Sequence, residues 1–557
     1  MMRVIMNLAT AKPGIYLSQS HIWTLCLTLF MFSYSVAMVP PIMPLLVREL
    51  NTSIGYVQGA LVLFSLVTAS FAPTCENLCQ FYGRSPIFRI GLWVYGIGIL
   101  SAAISPDISL WVISFALITG LAATPLVSMP WTLIDSAYEG KQEQQAMLIL
   151  TLCSTMGALT GAIGGGWIAA QLGWRWAVSP ALGIWLVVLL LGRSLPETTI
   201  PRQQPIDWIG GLISFLGFGS ILLGISLAGE FGWWAPKRVF AIAGVIIPPF
   251  ALSIVPTLIS VGVICLGLFV AWQRQQNRRS SASLLRVGLL RKPIFVCGLL
   301  TSMMHGLVTT GVQFNLYQLL PTVLKLNPVE TAIAVLPYNV TLIIAIVALL
   351  KYLTLHQQFP PKYIVYFGLM VLLSGLMALY GVTTPTMDSL QLLPPLIIMG
   401  IGSGCFLAYI GGLAYSVATR AEKPEGTGIY RPAQQLGSSL GRGVLGTILI
   451  AFTSTQIVDR LQVELGTTLS GEQRRTAIAA LQRLIQTYPK DERNTLLQQA
   501  VPDQVRPQLQ AIAESAAISG MRTALLVAMA LIILCMLLAI ALPKSVRTTA
   551  QINEDII

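Results

Sequence analysis

The stretch Gly157-Ala-Leu-Thr-Gly161-Ala-Ile-Gly-Gly165-Gly166-Trp167 places a glycine at every fourth position from Gly157 to Gly165. Residues four apart lie on one face of an α-helix, so a neighbouring helix can approach closely along this face. The surrounding run 146–170 contains no charged residue and is long enough to cross a hydrocarbon core of about 30 Å. It therefore predicts a membrane-spanning helix with a tightly packed seam.

The whole chain has the composition of a membrane protein. Of its 557 residues, 55% are hydrophobic and 10% are charged, whereas a soluble domain has roughly 25% charged residues. The mean hydropathy is +0.73. These values exclude a water-soluble fold and make the lipid bilayer the expected surroundings. The net charge of +12 is typical of cytoplasmic loops rich in Lys and Arg, so no nucleic-acid partner is expected.

Apolar runs of about 20 residues occur fourteen times along the chain, and each can span a bilayer as a helix. The eighth run is the least regular, since it is too long for one helix and too short for two. The predicted fold is an all-α polytopic membrane protein with 14 transmembrane helices. The spans are predicted at 22–45, 56–75, 88–105, 110–134, 146–170, 176–193, 207–229, 245–272, 294–320, 330–350, 363–382, 390–416, 429–453 and 521–542.

The distribution of Lys and Arg predicts the orientation. With the N-terminus inside, the inward loops hold twenty basic residues and the short outward loops hold five. Because basic loops are retained on the cytoplasmic side, both termini are predicted to be cytoplasmic, in the cell (inner) membrane.

Glycines indicate an internal repeat. Gly120, Gly157 and Gly161 recur 280 positions later as Gly400, Gly437 and Gly441. We therefore predict two six-helix halves with a two-helix insert between them, an organisation typical of secondary transporters. The predicted segments are a cytoplasmic N-terminus 1–21, a first bundle 22–193, the insert 207–272, a basic cytoplasmic loop 273–293, a second bundle 294–542 that includes an outer loop 454–520, and a cytoplasmic tail 543–557.

Three further motifs accompany the glycine stretch. They are Gly173-Trp174-Arg175-Trp176, Asp207-Trp208-Ile209-Gly210, and Gln435-Leu436-Gly437 with Gly441. Together these residues resemble the major facilitator superfamily, and within it the fourteen-helix drug/proton antiporter branch. The resemblance implies a multidrug efflux permease coupled to protons, with a conformational seam formed by Gly157, Gly161, Gly165, Gly166, Gly437 and Gly441.

The loop after the second span keeps part of the pattern that the resemblance implies. Gly83 and Arg84 match the family's cytoplasmic loop motif, whereas Glu76 replaces its first glycine and Gln80 replaces its aspartate. A charge latch that uses Arg84 must therefore involve another acid or be weakened. An ordinary basic turn that is retained inside is the alternative.

Two groups that the family uses for proton coupling are also missing. Met31 stands where the branch has an intramembrane aspartate, and Ala116 stands where it has an arginine. None of the 22 acidic residues falls in the middle of a predicted span. Cationic drugs are therefore less favoured as cargo, because a buried cation needs a compensating carboxylate.

Two polar stripes are the candidates for the substrate cavity, together with Tyr34 in span 1. The first, in span 9, repeats every four residues and includes His305, which titrates near neutrality and is the candidate proton carrier. The second, in span 13, includes Arg442 about 15 Å into the bilayer. A histidine bonded between helices and a purely structural arginine are the alternatives. The stripes comprise His305, Thr309, Gln313 and Tyr317, and Gln434, Gln435, Ser438 and Arg442.

The outer loop 454–520 contains Ile478, Leu481 and Ile485 at helical spacing beside basic residues, which predicts an amphipathic helix. A solvated hairpin is the favoured interpretation, and a docking site for an outer-side (periplasmic) partner is the alternative.

No enzyme motif is present: the chain lacks a phosphate-binding loop, a His-Glu-x-x-His pair and a nucleophile elbow. Neither Cys75 nor Cys79 has the companions that a zinc site needs, so no metal or cofactor is expected. The leading function is a secondary transporter that exports small amphipathic molecules by alternating access. Alternatives are an importer or facilitator of a metabolite or organic anion, and a non-transporting scaffold or sensor.

Overall fold

The part of the chain that the computed structural model describes is almost entirely helical, apart from a small hairpin of β1 (Ala241–Ile242) and β2 (Val245–Ile246). The described residues are 19–52, 54–138, 141–195, 207–231, 241–242, 245–246, 253–278, 289–355, 360–418, 423–464, 466, 469–487 and 506–544.

The described residues from Gln19 to Leu195 form nine α-helices. A π-helical segment, Ile113–Ile118, joins α5 to α6, and another, Gly161–Gly165, joins α7 to α8. The helices are α1 (Gln19–Ala37), α2 (Val39–Glu49), α3 (Ile54–Tyr82), α4 (Arg84–Ala103), α5 (Ile108–Val112), α6 (Thr119–Ala137), α7 (Lys141–Thr160), α8 (Gly166–Leu172) and α9 (Ser179–Leu191).

The inserted pair and the second half follow. The inserted helices pack against each other, and the first of them also packs against α3. The helices are α10 (Trp208–Phe231), α11 (Ile254–Arg278), α12 (Pro293–Val323), α13 (Pro328–Leu355), α14 (Pro361–Val382), α15 (Leu393–Tyr415), α16 (Lys423–Glu464), α17 (Gly471–Thr487) and α18 (Arg506–Ala539).

Every predicted span coincides with a helix, but the number fourteen is not confirmed. In the described part of the chain, eleven helices are long and apolar enough to cross a membrane, or twelve if the bent pair within α3 counts as one span. Shorter apolar helices occupy the positions of spans 6 and 7, at Trp176–Leu191 and Trp208–Ile221. The predicted limits of span 8, 245–272, are wrong, because the helix begins at Ile254 and residues 245–246 belong to the hairpin.

Two hydrophobic cores lie in the two halves of the chain. One consists of residues between Ile22 and Leu195, and the other of residues between Val308 and Leu542 together with Leu148 of α7. Equivalent helices pack in equivalent ways, since α7 lies on α1 as α16 lies on α12, and α6 lies on α3 as α15 lies on α13. The halves contact each other where α3 meets α16 and where α7 meets α13.

The predicted outer loop 454–520 is largely helical. Helix α16 continues to Glu464 and α18 already begins at Arg506, and the predicted amphipathic helix is α17. Its apolar residues Ile478, Leu481 and Ile485 pack against side chains of α16 and α18. The apolar face of α17 is therefore covered by the chain itself, which gives no support to a partner-docking surface there.

A salt bridge fixes the other side of α17. Arg474 donates two hydrogen bonds to Asp459 of α16, at 2.8 and 2.9 Å, and this carboxylate raises the pKa of the guanidinium. The side chain of Arg483, which the sequence places on the same helix, lies outside the described residues. Helix α17 also contacts α3 of the other half.

We expect Leu481→Asp to release α17 from α16 and α18, because a charge cannot be buried in that apolar contact without a partner. Trypsin should then cleave at the arginines of α17 at least tenfold faster in the purified protein. Ala480→Asp is the matched control, since Ala480 is exposed and gains the same charge. Equal cleavage rates in both variants would contradict the packing.

Candidate functional site

The glycine stretch of α7 packs directly on the backbone of α1. A Cβ atom on Gly157 would lie 2.8 Å from Cα of Phe30, and one on Gly161 would lie 2.9 Å from Cα of Tyr34. Real Cβ contacts are not this short, so both positions require glycine for the helices to meet.

The π-helical segment explains why two consecutive glycines face the same neighbour. One extra residue per turn shifts the helix face, so that a Cβ on Gly165 would lie 2.6 Å from Cβ of Met38 and one on Gly166 would lie 3.1 Å from Cβ of Pro41. Gly164, which directly precedes Gly165, has no atom within 4 Å of its Cβ position.

The second half contains the same contact between α16 and α12. A Cβ on Gly437 would lie 2.7 Å from the carbonyl carbon of Met303, and one on Gly441 would lie 2.8 Å from that of Leu307. The two halves thus each contain one seam in which glycines allow backbone-to-backbone packing. This is the geometry that the 280-residue repeat of glycines predicts.

The tryptophan-arginine motif ties three connections together at the end of α8. Glu49, the last residue of α2, accepts a hydrogen bond from Nε1 of Trp174 at 2.8 Å and one from Nη1 of Arg175 at 2.5 Å. Arg175 also donates to the carbonyl of Ser105 at 3.2 Å, and its guanidinium lies 4.4 Å from the centroid of the Trp174 ring. The motif holds the predicted outer ends of spans 1, 3 and 5 in fixed positions.

The loop motif contains a buried ion pair. Gly83 adopts φ +94°, a conformation that suits glycine, and Arg84 opens α4 directly after it. Both terminal guanidinium nitrogens of Arg84 contact the Glu76 carboxylate, with Nη1 to Oε2 at 3.4 Å and Nη2 bonded to Oε1. Nη1 also donates to Thr132 at 2.8 Å. The acid that replaces the family's first glycine therefore takes the place of the missing aspartate as the partner of Arg84.

A second buried carboxylate joins the two inserted helices. Asp207 accepts hydrogen bonds from the backbone N–H of Gly210 at 2.8 Å, from Nε1 of Trp272 at 3.0 Å and from Nε2 of Gln273 at 2.8 Å. These bonds cap α10 and fix its start against α11, which accounts for the aspartate of the Asp207-Trp208-Ile209-Gly210 motif.

His305 lies inside the second half, where its imidazole contacts two residues of α15. Its Nε2 is 3.2 Å from Oγ of Ser403 on α15, and the hydroxyl of Tyr338 on α13 donates to the same Oγ at 3.0 Å. The imidazole is stacked on Phe406 with ring centroids 4.3 Å apart. His305 is thus part of a buried hydrogen-bonded group between α12, α13 and α15.

The other three residues of the first stripe are buried or half-buried in the second half. Thr309 is buried and donates to the carbonyl of His305 at 2.9 Å. Gln313 and Tyr317 are half-buried, and Tyr317 packs against the core of the second half. Tyr34 is also buried, with its hydroxyl donating to the carbonyl of Ala177 at 2.9 Å. These residues stay predictions as cavity residues, and the structure places them mainly between helices of a single half.

The second stripe reaches the boundary between the halves. Ser438 donates to the carbonyl of Gln434 at 3.3 Å, and both lie near Gly306 of α12. Arg442 is half-buried, and its Nη2 donates to Oγ of Ser65 on α3 at 3.2 Å. The side chain of Gln435 lies outside the described residues.

Sequence reasoning missed three of these partners. Ser65 and Ser403 are small hydroxyls in apolar helices, and nothing in their spacing marks them. Glu76 stood out as a departure from the motif but was not identified as the partner of Arg84. Its position eight residues before the arginine, on the preceding helix, could have suggested the pair. Among the described residues, no group of three or more His, Cys, Asp or Glu side chains could hold a metal ion.

These features define a multi-pass membrane protein in which two similarly packed helical halves meet along α3 and α16. A protein-family model described as Major Facilitator Superfamily matches residues 25–442. The chain belongs to the Major Facilitator Superfamily, and it is a membrane transporter and not an enzyme.

Curated relatives agree with this assignment. The chain is 23% identical over 443 residues to the multidrug resistance protein B homolog of Mycobacterium tuberculosis (strain ATCC 25618 / H37Rv), which covers 78% of this chain and 76% of the relative. It is 25% identical over 426 residues to the puromycin resistance protein pur8 of Streptomyces alboniger, with 75% and 79% covered.

Solved structures share the fold. The human organic anion transporter MFSD10 (TETRAN) has a TM-score of 0.53 at 14% identity, and the match covers 85% of this chain and 99% of that one. The proton:xylose symporter XylE has a TM-score of 0.52 at 12% identity, with 84% and 93% covered. At these identities the likeness concerns the fold alone.

Proposed function

We propose that this protein is a secondary active transporter of the cell (inner) membrane that exports small amphipathic molecules by alternating access. The observation that carries the proposal is the contact of α3 with α16, where the two halves meet and Arg442 donates a hydrogen bond to Ser65. The relatives named for multidrug and puromycin resistance support the direction of transport. The basic inward loops support cytoplasmic termini.

Alternating access requires two units that each move as a rigid body. In this proposal the glycine seams hold the helices of each half together as such a unit. Because the seams join backbones inside each half, we expect each half to resist internal deformation, whereas α3 and α16 of different halves meet through side chains such as Ser65 and Arg442. The Glu49 cluster at one end of the first half and the Glu76–Arg84 pair at the other fix its helix ends. The fourteen-helix antiporter branch accounts for the inserted pair.

Proton antiport is the proposed source of energy. His305 is the candidate carrier, because Met31 and Ala116 occupy the positions of the family's coupling groups. The chain lacks a Walker motif, so energy from an ion gradient is the simpler scheme.

The test is transport in proteoliposomes with an imposed pH gradient. Carboxyfluorescein and rhodamine 6G serve as anionic and cationic amphipathic probes. We expect at least one dye to accumulate against its gradient when the compartment that receives it is acidic, and an uncoupler to abolish this accumulation. Transport that is indifferent to the pH gradient would contradict antiport and leave export intact. Movement only in the opposite direction in inverted vesicles would indicate an importer.

A further inference from the structure

A groove between α14 and α18 lies on the surface of the second half. The two helices are antiparallel, and two side-chain bonds join them toward the predicted cytoplasmic side. The hydroxyl of Tyr366 donates to the carbonyl of Met536 at 2.7 Å. Nζ of Lys362 donates to the carbonyl of Ile540, also at 2.7 Å. The basic residue at this end of the groove therefore has a partner within the protein.

At the opposite end of the groove, Arg522 of α18 meets Tyr380 of α14. The guanidinium carbon of Arg522 lies 5.1 Å from the centroid of the Tyr380 ring. Tyr380 follows Lys362 by 18 residues, and Arg522 precedes Ile540 by 18 residues, so this pair continues the same register. Such a helix length is about 27 Å, close to the hydrocarbon thickness of about 30 Å. Arg522 therefore lies at the level of the lipid headgroups on the predicted outer side.

Arg522 lacks the bonded partner that Lys362 has. Within the described part of the chain, Arg522 forms no hydrogen bond and no salt bridge, and its Nε is buried without a partner. The acids nearest along α18 and the turn after α14 already have partners. Asp388 caps that turn, and Glu514 accepts a hydrogen bond from Gln510 at 2.8 Å. The terminal nitrogens of Arg522 are thus left to bind an external anion.

The groove is apolar from Arg522 toward the middle of the membrane. Leu526, one turn along α18, is 52% exposed, and Met377, about one turn back along α14, is 59% exposed. Leu537 and Phe367, further along the same two helices, are exposed as well. Exposed apolar surface of this kind on a membrane protein is covered by acyl chains. A cation at headgroup level above such a surface complements a phospholipid, because the phosphate and the acyl chain follow in the same order.

The residue types also fit a lipid phosphate. A guanidinium forms two parallel hydrogen bonds with phosphate oxygens, and tyrosine is enriched at the membrane–water interface. Basic residues between transmembrane helices are typical binding sites for anionic lipid headgroups. A free phosphate would use the same chemistry at Arg522 but would leave Leu526 and Met377 uncovered.

We propose that the outer end of this groove binds an anionic phospholipid, with the lipid phosphate on the guanidinium of Arg522 and one acyl chain along Leu526 and Met377. The site is separate from the contact of α3 with α16. Lipid binding can be measured without cargo, so its outcome does not depend on the proposed transport function.

The experiment measures lipid retention by the detergent-purified protein in native mass spectrometry. Dioleoyl phosphatidylglycerol is the anionic probe, and dioleoyl phosphatidylcholine is the zwitterionic one. We expect Arg522→Gln to bind the first phosphatidylglycerol at least fivefold more weakly, and Arg522→Lys to retain part of this binding. Arg475→Gln is the matched control, because it removes an exposed arginine of α17 and should leave binding unchanged.

Two further measurements test the site even if the Arg522 variants fail to fold. Leu526→Trp keeps the arginine and fills the groove, so it should also weaken the binding of phosphatidylglycerol at least fivefold. The wild type should retain phosphatidylglycerol at least fivefold more tightly than phosphatidylcholine.

The proposal is overturned if Arg522→Gln or Leu526→Trp retains phosphatidylglycerol as the wild type does, or if the wild type retains both lipids equally. Soluble glycerol phosphate distinguishes a lipid from a free anion. Displacement of the bound lipid by an equal concentration of glycerol phosphate would indicate a site for free phosphate and contradict the lipid assignment.

Discussion

Replacing Gly437 by alanine is expected to reduce transport at least a hundredfold. The added Cβ would lie 2.7 Å from the carbonyl carbon of Met303 and closer still to its oxygen. Backbone atoms in a packed helix pair cannot move aside as a side-chain end can, so α16 and α12 must separate along their whole contact. Overpacking of this kind costs about 1–3 kcal/mol or more, and the separation also displaces Arg442 five residues further along.

The measurement compares dye transport and thermal melting of the purified variants. Gly411→Ala is the control in the second half, because no atom lies within 4 Å of its Cβ position. In the first half, Gly161→Ala should behave like Gly437→Ala, whereas Gly164→Ala, three residues away, should be close to wild type. If Gly437→Ala and Gly411→Ala transported equally well, the seam would have no role in function.

The seams could be predicted from sequence because their cause is local and periodic. Glycines four residues apart clear one helix face, and the 280-residue repeat indicates that the same solution occurs twice. What faces the cleared side could not be predicted. Phe30 and Met303 supply backbone rather than a distinctive side chain, so the sequence contains no sign of them.

The polar stripes show the limit of helical spacing. Spacing places His305, Thr309 and Gln313 on one face, and the Thr309 hydroxyl donates to the backbone carbonyl of His305. Spacing does not say which neighbour that face meets. His305 packs on Ser403 and Phe406 within its own half. Which helix lies beside α12 depends on contacts between residues about a hundred positions apart, and helical spacing contains no information on such contacts.

Contacts across the halves are still harder to foresee. Ser65 and Arg442 are 377 residues apart, and a serine in an apolar helix is ordinary. The depth of Arg442 could be predicted from its distance to the helix start, since rise per residue is constant. Its partner depended on how α3 and α16 approach each other.

The loop motif gives the other large effect. Glu76→Gln is expected to destabilise the protein by about 3–5 kcal/mol, because it leaves the buried guanidinium of Arg84 without its counter-charge. Thr132 still accepts one hydrogen bond but carries no charge. Transport should fall in parallel, since the start of α4 would no longer be fixed to the end of α3.

Relocation of the acid distinguishes loss of charge from loss of a particular side chain. The double variant Glu76→Gly/Gln80→Asp restores the glycine and aspartate that the resemblance to the family implies at these positions. Position 80 is four residues before Arg84, on the same side of Gly83, so a carboxylate there can also reach the guanidinium. We expect this double variant to regain most of the melting temperature and transport that Glu76→Gly alone loses.

The control is Glu76→Gly/Gln80→Asn, which has the same shape at position 80 without the charge and should behave like Glu76→Gly. Equal melting temperatures for the Asp and Asn double variants would contradict the interpretation that Glu76 serves as the displaced acid of the loop motif. The wild type, Glu76→Gly and the two double variants all retain Arg84 and Gly83. A difference in melting temperature between these four proteins therefore reports the position of the negative charge and not the geometry of the turn.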